Sequence, residues 1–247
     1  MPLFTQSATS DQTKPPQALI SEARWLFAQA NASRAAAGVG TLAWDDALAN
    51  AALQHCLRMA VEGPIEHRYT GEPGLTERAG SAGAHFSLIE ENIAVGSYTS
   101  TIHQGWLDSQ EHRLNLLSPR IDHVGIAVVA SQGVLFADAD YARSVAVLTP
   151  PQIEASFATL IRTFGASVSH DPSDARAACS LDDGLPVSIE RRPRYILRWQ
   201  GPELNHLPQE LSTLLSSKRY SSATVGNCAI DRSRERFTVY RMAVLLY

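Results

Sequence analysis

Three residues in the first half of the chain, His67, Glu91 and His112, have side chains that could perform chemistry together. Imidazole nitrogens and a carboxylate oxygen suit a divalent transition metal such as zinc, and three protein ligands leave a position open for water. Without a metal, the same trio could serve as a general acid and base, because a neighbouring carboxylate raises the pKa of a histidine. The three residues therefore predict a cleft that holds a divalent metal ion or a small ligand.

A nucleophile that would complete a catalytic set is not visible in the sequence. Ser109 follows Trp106 by three residues, but no Gly-x-Ser-x-Gly elbow and no reactive cysteine context is present. The sequence thus favours a binding or scaffold protein. The alternative is a metal-assisted, peptidase-like hydrolase that uses a water on the same ion.

Each of the three residues also has a purely structural interpretation. His112, with Arg113, could pin a turn by hydrogen bonds to backbone carbonyls, and His67 stands in a glycine-rich loop. Glu91 could bridge backbone amides of the adjacent loop. Four other histidines are interpreted as satisfied surface or helix-face residues rather than ligands: His55, His85, His103 and His123.

The elements that must position these side chains can be read from periodicity and capping signals. The stretch from Trp106 to Val129 reads as a helix end, a polar turn with His112, and an apolar strand. Helices are predicted over 18–37, over 45–63 with Asp45 as N-cap, around 75–79 and over 100–106; extended segments are predicted over 86–94, 124–129 and 134–141. This mixed order favours an α+β fold, with helices packed against an antiparallel sheet.

A domain boundary is predicted at Thr149, which can cap a helix that has Pro150 in its first position. We predict a disordered leader over 1–17, one domain over 18–148, and a smaller α+β domain of unknown type over 149–247. In the latter, strands are expected over 185–199, 225–230 and 237–247, and helices over 150–164 and 207–215. The number of residues from Gly125 to Phe136 equals the number from Gly226 to Phe237. This match raises the hypothesis that the second half of the chain repeats the last hairpin of the first.

Composition describes an ordinary soluble globular chain of 247 residues, 45% hydrophobic and 19% charged. Residues 1–148 carry 9 basic against 15 acidic side chains, and residues 149–247 carry 12 against 10. Neither half of the chain has the concentrated excess of basic side chains that nucleic-acid binding requires. No apolar run is long enough to span a membrane, and the N-terminus lacks the apolar core of a signal peptide.

The three cysteines divide between the two halves of the chain. Cys56 falls on an apolar helix face and is predicted to be a buried thiol. Cys179 and Cys228 lie in the second half and could pair, which would close a 49-residue separation and indicate an oxidising compartment.

An ordered set of motifs resembles the bacterial branch of the CAP superfamily, the cysteine-rich secretory, antigen 5 and pathogenesis-related 1 proteins that share the SCP domain. The resemblance covers about residues 18–142, and the motifs agree in order and spacing. They are Asn31 with Arg34, Leu42-Ala43-Trp44-Asp45, Ala52 with His55, His67, Glu91-Asn92-Ile93-Ala94-Val95-Gly96, Trp106-x-x-Ser109-x-x-His112-Arg113-x-Asn115-Leu116-Leu117, and Val124-Gly125-Ile126-Ala127.

This resemblance implies an α-β-α sandwich, usually exported, with a cleft that holds two histidines and two acids. The histidines fall on His67 and His112 and one acid falls on Glu91. Ser109 stands where many members carry the second glutamate, so a His-Glu-His site is expected. Zinc or another divalent cation is the expected cofactor; a small ligand, lipid or cell-wall fragment is the expected partner; the expected location is secreted or periplasmic.

Overall fold

A computed structural model describes residues 15–187, 189, 191–229 and 237–247. Its contacts divide the chain into two units, one formed by residues 15–84 and 88–143 and one by residues 85–87 and 144–247. Most of the predicted leader lies outside the described residues, but Gln17 and Ala18 pair with the main sheet of the first unit. None of the described helices is both long and apolar enough to cross a membrane.

The first unit has its helices and strands in the predicted order. The helices are α1 (Ile20–Ala36), α2 (Asp46–Glu62), α3 (Leu75–Ser81), α4 (Thr99–Asp108) and α5 (Gln110–Leu116). The strands are β1 (Gln17–Ala18), β2 (Ala43–Trp44), β3 (Phe86–Gly96), β4 (His123–Ser131) and β5 (Val134–Ser144). The predicted cap is confirmed, because the Asp45 carboxylate accepts hydrogen bonds from the Ala47 and Leu48 amides at 2.7 and 3.0 Å.

The sheet of the first unit lies between two layers of helices. Its strand order is β1-β4-β5-β3, and β2 also pairs with β4 in parallel. Alternate residues of β4 and β5, such as Ile126 and Ala139, pack against α1 and α4, whereas Ala127 and Phe136 pack against α2. The α-β-α sandwich predicted from the sequence is therefore present.

Gly125 lets α2 lie directly on the β4–β5 hairpin. A Cβ atom at this position would stand 1.9 Å from the Ala49 nitrogen and 2.2 Å from the Leu48 carbonyl carbon. Any larger residue would force the helix away from the sheet. The glycine therefore determines how closely α2 packs on the sheet. Helix α2 carries His55 and Cys56.

The prediction of a polar turn around His112 is wrong, because residues 110–116 form helix α5. Ser109 has extended backbone angles and separates α4 from α5. Gln110, Glu111 and Arg113 are good helix formers, and an acid in the first turn and a base in the last suit the helix dipole. The polar face of this short helix meets solvent while Leu116 is buried, so its polarity resembles that of a turn.

The second unit is also an α+β unit. Its helices are α6 (Pro150–Thr163), α7 (Ser173–Cys179) and α8 (Gln209–Ser216), and its strands are β6 (Ser167–Val168), β7 (Tyr195–Gly201), β8 (Ser222–Cys228) and β9 (Tyr240–Leu246). The strand predicted over 185–199 is confirmed from Tyr195 onward. Residues 188 and 190 lie outside the described residues, and Pro193, just before the strand, cannot donate to a ladder. Strand β7 lies at the sheet edge, as a nearby proline favours.

The second unit repeats the strand pairing of the first. Its sheet order, β6-β8-β9-β7, matches β2-β4-β5-β3, with a parallel β6–β8 pair and antiparallel β8–β9 and β7–β9 pairs. Helices α6 and α8 cover one face and α7 covers the other, as α1 and α4 oppose α2. Gly226 lies under α7, where a Cβ atom would stand 2.2 Å from the Arg176 nitrogen. The hypothesis of a repeated hairpin thus extends to a whole sheet with its covering helices.

Two of the three cysteines form the expected cross-link. Cys179, at the end of α7, is joined by a disulfide to Cys228, at the end of β8. Cys56 is a free, buried thiol on α2, as predicted. The disulfide therefore connects a helix to the sheet within the second unit.

Candidate functional site

The Glu91 carboxylate is buried on β3 and held from two sides. Its Oε2 atom lies 2.5 Å from Nδ1 of His67, and its Oε1 atom accepts a hydrogen bond from the guanidinium of Arg78 on α3. An arginine that neutralises a buried carboxylate offsets the cost of removing that charge from water. Glu91 is therefore an anchored acceptor with a fixed direction toward His67.

The loop that carries His67 is itself held by a buried ion pair. Oε1 of Glu72 lies 2.7 Å from Nδ1 of His55 on α2, and Oε2 accepts a hydrogen bond from the Tyr69 amide at 2.9 Å. The Tyr69 hydroxyl donates to the Pro64 carbonyl at 2.8 Å. These contacts fix the backbone around His67, whose side chain is 60% exposed.

Helix α5 is tied to β3 through the residue that follows Glu91. Nδ2 of Asn92 donates to the His112 carbonyl at 2.9 Å. Nδ2 of Asn115 donates to the Glu91 carbonyl at 3.1 Å and to Oδ1 of Asn92 at 3.0 Å. The Glu-Asn pair thus has two roles, since Glu91 faces His67 while Asn92 places the helix that carries His112.

The two histidines have opposite electrostatic environments. The hydrogen bond to Glu91 raises the pKa of His67 above its ordinary value. Partial burial lowers the pKa of His112, and the positive charge of His67 lowers it further. His112 is accordingly the more readily neutral imidazole, the form that binds a metal.

We predict that the metal-free protein shows two separated histidine titrations, His67 above 6.5 and His112 below it. Glu91→Gln removes the ionic acceptor and should move the His67 titration down. The stability that the His67–Glu91 pair contributes is complete below the unfolded pKa and is lost as pH rises through the folded pKa. Histidine-resolved NMR titration tests this prediction, and a His67 pKa unchanged in Glu91→Gln would contradict it.

The two acids that flank Ser109, Asp108 and Glu111, are both exposed. The Asp108 side chain accepts a hydrogen bond from Gln104 at 2.9 Å and is exposed on α4. The charge of Glu111, on α5, raises the pKa of both His67 and His112. Ser109 lies at the junction of the two helices.

Sequence reasoning missed the residues that lie behind the cleft. Arg78 and Glu72 occur in a glycine-rich stretch without a motif to mark them. Beneath α2, ligand atoms of His55, Glu91 and Asp138 all lie within 4.8 Å of one another, and each residue is buried. The alternation of Ala and Asp along β5 is the sequence feature from which these buried acids could have been predicted.

Cys56 does not supply a nucleophile. Its thiol is buried and donates to the Ala127 carbonyl at 3.5 Å. Burial, reinforced by the charge of Asp138, raises the pKa of this thiol well above its usual value. A neutral, enclosed thiol is inert.

The donor types at the cleft are those that a transition metal takes. Among the described residues, however, the group whose ligand atoms all lie within 4.8 Å of one another is His55, Glu91 and Asp138, and not His67, Glu91 and His112. With Nδ1 of His67 directed to Glu91, its Nε2 remains for a metal at the exposed edge of the ring. His112 adds a second imidazole with a lowered pKa. Two nitrogen donors, one of them oriented by a carboxylate, are a common partial shell for zinc.

The sequence pattern of the cysteine-rich secretory protein family, CAP, matches residues 27–141. The uncharacterised protein YkwD of Bacillus subtilis (strain 168) is 25% identical over 131 residues, which are 53% of this chain and 51% of that protein. Among solved structures, an extracellular protein containing a SCP domain from Bacillus anthracis is 28% identical with a TM-score of 0.47, over 50% of this chain and 41% of that one. A cysteine-rich secretory protein from Staphylococcus aureus is 17% identical with a TM-score of 0.42, over 55% and 41%. The match thus covers about half the length of each of these three proteins, or less.

Proposed function

This chain belongs to the CAP superfamily, in its bacterial branch, through residues 27–141, and from this premise we propose that its first unit is an exported binding domain whose cleft holds a divalent ion of the zinc type. The observation that carries the proposal is the 2.5 Å contact between His67 and the arginine-anchored Glu91. The backbone of His112 is tied to the same strand through Asn92. His67 and His112 would ligate the ion, and Glu91 would orient His67.

The contacts of Glu91 support this division of roles. Its Oε1 atom is engaged by Arg78 and its Oε2 atom by Nδ1 of His67. A carboxylate that accepts the second N–H of a metal-bound imidazole fixes the tautomer and raises the basicity of that ligand. Glu91 therefore acts through His67.

A site with two protein nitrogens has coordination positions left for water or for a small ligand. A zinc ion with vacant positions can bind the oxygen or nitrogen atoms of such a ligand directly. A binding domain is the function that these residues support best. Metal-assisted hydrolysis in the same cleft stays a prediction of the sequence.

The exported location is supported by the cross-link in the second unit. Disulfides persist in secreted and periplasmic proteins and are rare where thiols are kept reduced. The Cys179–Cys228 bond joins α7 to β8, and α7 also packs on β9 through Ala175, Ala178 and Leu245. A compartment that keeps this bond oxidised suits the protein.

We predict that the full-length protein binds one zinc ion and that His112→Ala or His67→Ala weakens this binding by at least about tenfold. Each change removes one imidazole ligand. Glu91→Gln should weaken binding by roughly 10- to 100-fold, because it removes the acceptor that orients His67. Isothermal titration calorimetry after chelator treatment measures all three affinities.

A matched control is His123→Ala, which alters a partly exposed histidine that pairs with Asp122. This variant should keep the wild-type zinc affinity. Wild-type protein that binds no zinc, or His112→Ala and His123→Ala proteins with equal affinities, would reject the proposal.

A further inference from the structure

We propose a second cation site in the first unit, in which the carboxylates of Asp138, Asp140 and Glu91 bind a hard divalent cation such as Ca²⁺, Mn²⁺ or Mg²⁺ between α2 and the sheet. It lies behind the histidine cleft and does not require that the cleft bind zinc. Glu91 is the residue that the two sites share.

The first observation is that two acids are enclosed without partners. Asp138 and Asp140 point to the α2 face of β5 and are both 0% exposed. Within the described residues, none of their four carboxylate oxygens has a hydrogen-bond partner. Buried polar atoms are nearly always paired, so four adjacent unpaired oxygens indicate a group that protein atoms alone do not supply.

The second observation is that these oxygens converge with others. Ligand atoms of Asp138, Glu91 and His55 lie within 4.8 Å of one another. Ligands on opposite sides of an ion with bonds of about 2.3–2.6 Å are separated by about that span. Asp140 follows Asp138 by two residues on β5 and is equally buried, so its carboxylate lies on the same face of the strand.

His55 belongs to the wall of this site and not to its ligands. Its Nδ1 atom faces Oε1 of Glu72 at 2.7 Å, and its Nε2 atom faces the Glu66 carbonyl at 2.9 Å. Both partners accept hydrogen bonds, so both ring nitrogens are engaged and neither offers a lone pair. The remaining donors are carboxylate oxygens, which prefer calcium, magnesium or manganese to zinc.

Charge balance indicates a divalent ion. Glu91 is matched by Arg78 and Glu72 by His55, while Asp138 and Asp140 have no cationic partner of their own among the described contacts. Two enclosed carboxylates without partners are costly to keep away from water. One divalent cation would balance both charges and supply a partner for the unpaired oxygens.

The second unit shows that the scaffold does not require an acid at the position of Asp140. Asp140 pairs with Gly125 across the first hairpin, and Ala243 pairs with Gly226 at the matching place in the second. Ala243 is buried under α7 without a polar group. The same strand position is thus apolar in one unit and acidic in the other, which points to a ligand in the first.

The test uses the full-length protein before and after chelator treatment. We expect the untreated protein to contain one hard divalent ion by elemental analysis. We also expect readdition of Ca²⁺, Mn²⁺ or Mg²⁺ to raise the Tm by roughly 5 °C at saturation. Asp138→Asn and Asp140→Asn keep the side-chain shape and should abolish this shift, whereas His112→Ala, which alters only the cleft, should retain it.

The wild-type measurements decide the matter even if the aspartate variants fold poorly. Wild-type protein with no bound ion and no shift from any of the three cations overturns the proposal, as does an Asp138→Asn protein with an undiminished shift. A shift seen only with zinc and lost in His112→Ala would support the histidine cleft and reject the buried site. A shift with hard cations but no zinc binding would reject the cleft and support the buried site.

Discussion

Replacing Arg34 with alanine is expected to destabilise the first unit by about 3–5 kcal/mol, since it leaves several buried groups unpaired. Arg34, on α1, is 1% exposed. Its guanidinium donates to the carbonyls of Gly40, Leu116 and Ser118 at 2.6, 2.8 and 2.9 Å, and to that of Ile121 at 3.5 Å. Without it, the buried carbonyls of Leu116, Ser118 and Ile121 lose their charged donor.

The measurement is denaturant unfolding followed by fluorescence of Trp44 and Trp106, which lie in the first unit. Arg24→Ala is the matched control, because Arg24 is exposed on the same helix and stacks over the Trp44 ring at 3.8 Å. This contact should contribute about 0.5–1 kcal/mol. Equal losses in the two variants would show that the buried carbonyls do not depend on Arg34.

Arg34→Lys should recover little of the loss. One ammonium cannot reach four carbonyls that a planar guanidinium contacts through three nitrogens. One of those carbonyls belongs to Leu116, the last residue of α5, and two belong to Ser118 and Ile121 in the connection from α5 to β4. Arg34 therefore also holds the end of the helix that carries a cleft histidine.

The sandwich could be predicted because its helices and strands carry strong local signals. Asp45 caps α2 as expected, and the β4–β5 hairpin follows an apolar, alternating pattern. His67 and Glu91 could be paired from the motif order, and the structure places them in contact. Caps and periodicity act over a few residues, so the sequence expresses them directly.

The features that the sequence did not predict depend on which face of a helix or strand is covered by another element. The Ala-Asp alternation around Asp138 and Asp140 is typical of a strand with one face in water, yet α2 covers that face. Helix α5 was missed for the converse reason, since its polar residues meet solvent and only Leu116 is fully buried. Local polarity does not reveal which side of an element is enclosed.

The likeness between the two units was even harder to detect. In the sequence, the indication was that a glycine precedes a phenylalanine by the same number of residues in each half. The structure shows why a glycine recurs, since Gly125 and Gly226 each lie under a helix backbone. The acids did not recur, since Ala243 stands at the position that matches Asp140 and Arg241 at the position that matches Asp138.

Reducing the Cys179–Cys228 disulfide is expected to destabilise the second unit by roughly 3–4 kcal/mol. The bond closes a 49-residue separation, and the loss of loop-closure entropy on cross-linking an unfolded chain of that length gives this magnitude. The double variant Cys179→Ala with Cys228→Ala should lose about the same free energy of unfolding. Trp199, the one tryptophan in residues 144–247, packs on Phe157 and reports this transition by fluorescence.

Reductant supplies the control within the same experiment. It should shift the unfolding of the wild-type protein and leave that of the double variant unchanged, because the remaining thiol, Cys56, is already free. A reductant effect of equal size in both proteins would mean that the shift does not come from this bond. If neither reduction nor the double substitution moves the Trp199 transition, packing of α7 on β9 through Ala175, Ala178 and Leu245 holds the unit without the cross-link.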